Sequence, residues 1–351
     1  MERRPFGGYS ITERGGIRMN SGNHGPTNQL DRTRRTRGAD ACRFIFITTE
    51  KRSRQNAVRL INDDRLFFAS LFVLQQEIRE LDLYQELSER NQTALNICQK
   101  ITDAKHSAGR PGDGFSLKSE AVHSVLLWMF NTGILDDGMS GRFDQILDIT
   151  ASVLVKTHHE KTVLPVMADM IFQRNRKGVY NHDLIWAFFQ ARDAQSLRHI
   201  AARLRSPVQQ DVELARVLLN IPKDTPLITN SDKQKQYAAY LAWLKDNGPY
   251  VYFTGESMQL TNAPSACGVS LEAKYLCKGV SPRYNKPLTP LTDEERSNLE
   301  HFYGAKEEER AVLANYSNTL HTKNQPSWNE WMRYPVSRQV DIAKYGRREL
   351  V

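Results

Sequence analysis

Asp144 and Asp148 stand four residues apart, one helical turn, so their carboxylates could share a ligand face. Asp136 and Asp137 precede them, and His158, His159 and Glu160 follow. These are the residue types of a metal site, but their spacing argues against one. Adjacent histidines do not easily reach one ion together. A polar helix face and a polar turn account for the same residues. No metal and no cofactor is therefore expected.

Other chemical motifs fail on single positions. Gly112, Gly114, Lys118 and Ser119 outline a phosphate loop, but Leu117 stands where glycine is needed and no buried strand leads in. Gly-x-Gly-x-x-Gly, Gly-x-Ser-x-Gly and His-Glu-x-x-His patterns are missing. Cys42, Cys98, Cys267 and Cys277 form no Cys-x-x-Cys pair, which argues against a zinc ribbon or a thioredoxin-like site. Scattered thiols fit a reducing compartment. A nucleic-acid enzyme would need a carboxylate in a basic, aromatic-lined groove. Asp183, near His182, Trp186 and His199, is the one candidate, and at a helix start it equally complements the helix dipole. No catalytic residue is assigned.

Charge is more informative than these motifs. Of the 351 residues, the first 60 carry thirteen Lys and Arg against five Asp and Glu, which is the whole net charge of +8. Arg32, Arg34, Arg35 and Arg37 form the densest cluster, suited to phosphate or carboxylate. Glycine-rich, polar and nearly without apolar periodicity, residues 1–40 read as disordered. Phe6 and Tyr9 lie far from the arginines, which weakens single-strand recognition by base stacking. A second basic zone spans 171–205, with Arg174, Arg176, Lys177, Arg192, Arg198, Arg203 and Arg205 against Asp183 and Asp193. A solvated helix face would explain it equally well.

These residues need elements to position them, and the elements read as helices. The chain is 40% hydrophobic and 25% charged with a mean hydropathy of −0.55, as expected of a folded, water-facing protein. Leu66, Phe67, Leu71, Leu74, Ile78 and Leu81 recur at three- and four-residue steps. Helices are likewise predicted near 85–105 and from Ser116 onward. Further stripes are Phe143, Ile146, Leu147, Thr150 and Leu154, then Leu184, Ile185, Phe188 and Phe189 behind Asn181 as a cap. Over about 142–220, short helices pair at roughly 35–40 residues, and this resembles HEAT- and armadillo-type α-solenoids. An irregular helical bundle would give the same stripes. The fold class is therefore mostly α, as a bundle or a short HEAT-like solenoid with a smaller helical C-terminal unit.

In that C-terminal part, a minor strand is predicted near 250–254 and irregular backbone over 255–290. Ser231 with Gln234, Thr292 with Glu295 and Ser327 with Glu330 have capping-box form. Trp328 and Trp331 share a helix face and are candidate partner anchors, with core packing as the competing role. The expected organisation is a basic, largely disordered arm over 1–60, a helical domain over 61–225 and a helical unit over 226–351.

Together these readings describe a non-enzymatic interaction protein that binds a protein partner through a helical surface. The first alternative binds nucleic acid or another polyanion through the arm and the 171–205 zone. The second is an enzyme with a site between the middle and C-terminal parts. No secretory leader is seen, and the longest apolar stretch, residues 66–74, is half a membrane span. A cytoplasmic protein without a membrane partner is expected.

Overall fold

Most apolar stripes at helical spacing become helices, but the stripe over 66–81 breaks at Leu74 into two short helices, Phe68–Val73 and Gln75–Glu80. The computed structural model describes residues 10–11, 17–18, 28–106, 117, 119–222, 229–256 and 265–346. Within them are eighteen α-helices and two short antiparallel strand pairs. The chain is all-α in class, and no helix among the described residues is long and apolar enough to cross a membrane. Contacts divide it into two units, Met1–Leu147 and Asp148–Val351.

The first unit starts with β1 (Ser10–Ile11) and β2 (Ile17–Arg18), paired with each other. Then come α1 (Gln29–Arg37), α2 (Ala39–Arg52) and α3 (Arg54–Ile61). Residues 28–60 are thus folded, where the sequence suggested a largely disordered arm. The reason is a sparse but complete apolar set: Leu30, Cys42, Phe46, Ala57 and Ile61 are all fully buried. Local chemistry agrees with that burial. The Asn28 side chain accepts from Leu30 N at 2.8 Å and starts α1. Gly38, at φ 88°, makes the left-handed link between α1 and α2. The Ser53 hydroxyl accepts from Asn56 N to start α3.

Beyond these lie α4 (Phe68–Val73), α5 (Gln75–Glu80), α6 (Glu89–His106), α7 (Glu120–Gly133) and the first part of α8 (Gly141–Lys156). α4 touches α1, α2 and α7. Its Phe68 ring stacks on Phe143 at 5.5 Å and meets Trp128 edge-on at 6.0 Å.

The second unit takes the rest of α8 and then α9 (Leu164–Arg176), α10 (His182–Phe189), α11 (Leu197–Ala201), α12 (Gln209–Leu218) and α13 (Asn230–Asn247). α9 touches α10, α11 and α12. The strand expected near 250–254 is β3 (Val251–Phe253), and it pairs with β4 (Cys267–Val269). The segment read as irregular over 255–290 therefore holds β4 and also α14 (Leu271–Tyr275). Then come α15 (Asp293–Gly304), α16 (Glu307–Lys323), α17 (Gln325–Met332) and α18 (Val336–Tyr345).

Tyr275, fully buried, centres the core of these last helices together with Phe302, Leu313, Ala314 and Trp331. Its hydroxyl donates to Gln339 Oε1 at 2.8 Å, and its carbonyl accepts from the Ser317 hydroxyl at 2.5 Å. Both groups are thereby satisfied inside an apolar cluster.

Helix starts follow side-chain capping. The Thr292–Glu295 capping box forms as expected. The other two starts differ: Thr229 with Asp232 caps α13 in place of Ser231, and Asn324 caps α17 in place of Ser327. In both cases a good acceptor lies two or three residues earlier and captures the amide first. Asn181 sits at the start of α10 but donates instead to the Ile171 carbonyl. The loop over 109–114, Ser116, and Arg347 with Arg348 fall outside the described residues.

Candidate interaction surface

Three of the residues with site-like spacing, Asp144, Asp148 and Glu160, are engaged elsewhere. Asp144 Oδ1 accepts from Gly138 N at 2.8 Å, and Glu160 Oε1 accepts from Thr162 N at 3.0 Å. Asp148 holds Arg174 at 2.8 Å, with both side chains buried.

Arg34 is not a free anion binder. Its side chain is buried and grips Asp136, and its Nε donates to the Ser70 hydroxyl at 2.9 Å. That hydroxyl donates onward to Asp31 at 2.6 Å. Burial outweighs these bonds and holds the Asp31 carboxyl above its ordinary value. Arg35 is half-exposed, lies 3.8 Å from Asp136 and covers the Phe67 ring at 4.7 Å. Arg32 and Arg37 remain exposed.

Three arginines of the 171–205 zone are similarly paired. Arg174 pairs with Asp148, Arg176 lies 3.5 Å from buried Asp211, and Arg203 pairs with Asp169. Burial outweighs Arg203 and holds Asp169 above the usual carboxylate value. Arg205 stacks on Tyr237 at 3.9 Å. Lys177 and Arg198 stay exposed. Trp331 is buried in the core, and Trp328 packs against that core with its Nε1 donating to Ser317 at 2.7 Å. Both tryptophans therefore serve α16 and α17 packing.

A different feature brings exposed apolar and cationic groups together. After α14 the chain turns back on itself, with Val280 bridged to Pro287. Ser281 N donates to Lys286 O at 2.8 Å, and Leu288 N to Gly279 O at 2.9 Å. The Ser281 carbonyl accepts from the amides of Tyr284 and Asn285, and Asn285 takes φ 51° to close the tip. Asparagine tolerates that left-handed conformation. Further bonds tether the turn: Phe253 N donates to Pro282 O at 2.9 Å, and the Arg192 guanidinium to Arg283 O at 3.0 Å. The loop is thus ordered by its own backbone.

What it presents is unusual for such an ordered segment. Tyr284 is 66% and Leu288 68% exposed, with exposed Arg283 and Lys286 beside them. Arg283 sits 5.9 Å from the Tyr284 ring. Arg192 approaches from the end of α10, and burial, then the Arg283 charge, lower its guanidinium from its ordinary value. Its buried Nε has no hydrogen-bond partner among the described residues. Nor does any described carboxylate lie within 4.0 Å of Arg192, Arg283 or Lys286. Sequence reading had counted Arg192 but missed the rest, because the local signal is only Pro282 and Pro287 flanking Arg-Tyr-Asn-Lys. No protein-family model, curated protein or solved structure matches this chain.

Proposed function

We propose that this chain is an interaction protein whose hairpin over 279–290 docks an acidic segment of a protein partner. One observation carries the reading: two large apolar side chains, Tyr284 and Leu288, are about two-thirds exposed on a backbone-ordered loop beside three cations without carboxylate partners. Ordering such a loop beforehand lowers the entropy lost on binding. The uncompensated cations steer a partner of opposite charge and set its orientation. Tyrosine and arginine are the side chains most often found at the centre of binding surfaces.

A protein partner is favoured over nucleic acid because Leu288, 68% exposed, offers apolar surface that phosphate and sugar do not match. Moreover, Arg174 and Arg203 are committed to internal carboxylates and do not extend a phosphate track. A reducing, cytoplasmic setting suits the free thiols of Cys42, Cys98, Cys267 and Cys277.

The test is affinity purification from native cells with the full chain, the Tyr284→Ala/Leu288→Ala variant and the Arg283→Glu/Lys286→Glu variant, each with and without nuclease. Both variants alter exposed side chains, and circular dichroism verifies their fold. An acidic protein lost in both variants and retained after nuclease supports the reading. Captured sets that are the same for all three chains, or that vanish with nuclease, overturn it.

A further inference from the structure

α16 carries two parallel rows of side chains. Val312, Tyr316 and Leu320 fall at successive four-residue steps, and so do Asn315, Thr319 and Lys323 beside them. One row is apolar and the other polar. Both line a cleft of about 640 Å³, closed on another side by the small Ala343 of α18. That volume lies within the roughly 300–1,000 Å³ of small-molecule sites.

Among the described residues, Lys323 is the one ionisable side chain on the cleft wall besides the Tyr316 phenol. Among the described residues no carboxylate lies within 4.0 Å of Lys323. The Tyr316 ring lines the cleft, while its Oη is buried out of a ligand's reach.

We infer that this cleft binds a small amphipathic organic anion, its apolar body along Val312, Tyr316 and Leu320 and its anionic group at Lys323. Inorganic phosphate is a poor fit, because it would leave the apolar row uncovered in a space far larger than itself. A neutral apolar molecule would leave Lys323 unused.

The probes are 8-anilinonaphthalene-1-sulfonate and its uncharged counterpart N-phenyl-1-naphthylamine, titrated by fluorescence into the full chain, with decanoate as competitor. Three variants are compared: Lys323→Met, Ala343→Trp and, should the tryptophan disturb folding, Thr319→Phe. The wild type is expected to bind the sulfonate at one saturable site and to release it to decanoate. Filling the cleft is expected to weaken both probes at least about tenfold. Lys323→Met is expected to weaken the sulfonate about fivefold, as for a half-exposed charge pair, and to leave the neutral probe within about twofold. Non-saturable binding, indifference to the filling variants, or equal effects of Lys323→Met on both probes would overturn the assignment.

Discussion

Arg34 and Asp136 are 102 positions apart in the chain, and two guanidinium nitrogens of the first meet the two carboxylate oxygens of the second at 2.7 and 2.8 Å. A bidentate fork of this kind is the strongest ordinary ion-pair geometry. With the Arg34 side chain 5% exposed, removing it would leave a carboxylate largely shut away from water. Arg34→Ala is therefore expected to cost about 3–5 kcal/mol in urea unfolding. Arg32→Ala and Arg37→Ala, at exposed positions of the same helix, are expected to stay within about 0.5 kcal/mol. Equal effects at all three positions would show that the cluster acts as one surface.

Arg174 makes the same point in the second unit. Its side chain is 3% exposed and bonds Asp148 at 2.8 Å. Arg174→Met is expected to lose about 3–5 kcal/mol, because the buried carboxylate loses its cation. Lys177→Ala and Arg198→Ala are expected to change stability by no more than about 0.5 kcal/mol. Urea midpoints and slopes of the three variants decide the matter, and a tolerated Arg174→Met would return this arginine to the list of ligand-binding cations.

The helix starts offer a comparison within closely spaced positions. Thr229 Oγ1 accepts from Asp232 N, and Asn324 Oδ1 accepts from Ser327 N at 3.1 Å. Thr229→Ala and Asn324→Ala are each expected to cost about 1 kcal/mol. Ser231→Ala and Ser327→Ala are expected to cost less than about 0.5 kcal/mol, since neither hydroxyl caps its helix. Thermal unfolding of the four single variants checks this, and a larger loss at the serines would move the helix starts downstream.

These contrasts show where sequence reading stops. The stripe of Phe143, Ile146, Leu147, Thr150 and Leu154 was legible because burial follows helical period, and all five are buried. So was the Thr292–Glu295 box, whose two partners are three residues apart. The fate of Arg34 was not legible, because nothing local to it announces a carboxylate at 136. The partners of Arg174, Arg176 and Arg203 were hidden for the same reason: Asp148, Asp211 and Asp169 lie outside the 171–205 window. β4 was missed because Cys267–Val269 is too short for alternation to register. The hairpin over 279–290 escaped because its order comes from backbone bonds to β3 and Arg192, while its side chains read simply as a polar, proline-containing loop.

His199, on α11, carries a pH dependence of definite sign. Burial lowers its pKa below the ordinary 6.5, and the nearby Asp193 only partly opposes this. The folded state thus prefers the neutral ring, whereas the unfolded chain takes up a proton near 6.5. Protons bind more readily to the unfolded state in that window, so the residue's contribution to stability is full above 6.5 and is lost as pH falls toward the folded value. Lowering pH from 7.5 to 5.5 should therefore reduce the urea midpoint of the wild type more than that of His199→Gln. The two chains should run parallel between pH 7.5 and 8.5, where neither state protonates the ring. Parallel behaviour down to pH 5.5 would mean that the imidazole is as well solvated in the folded chain as in the unfolded one.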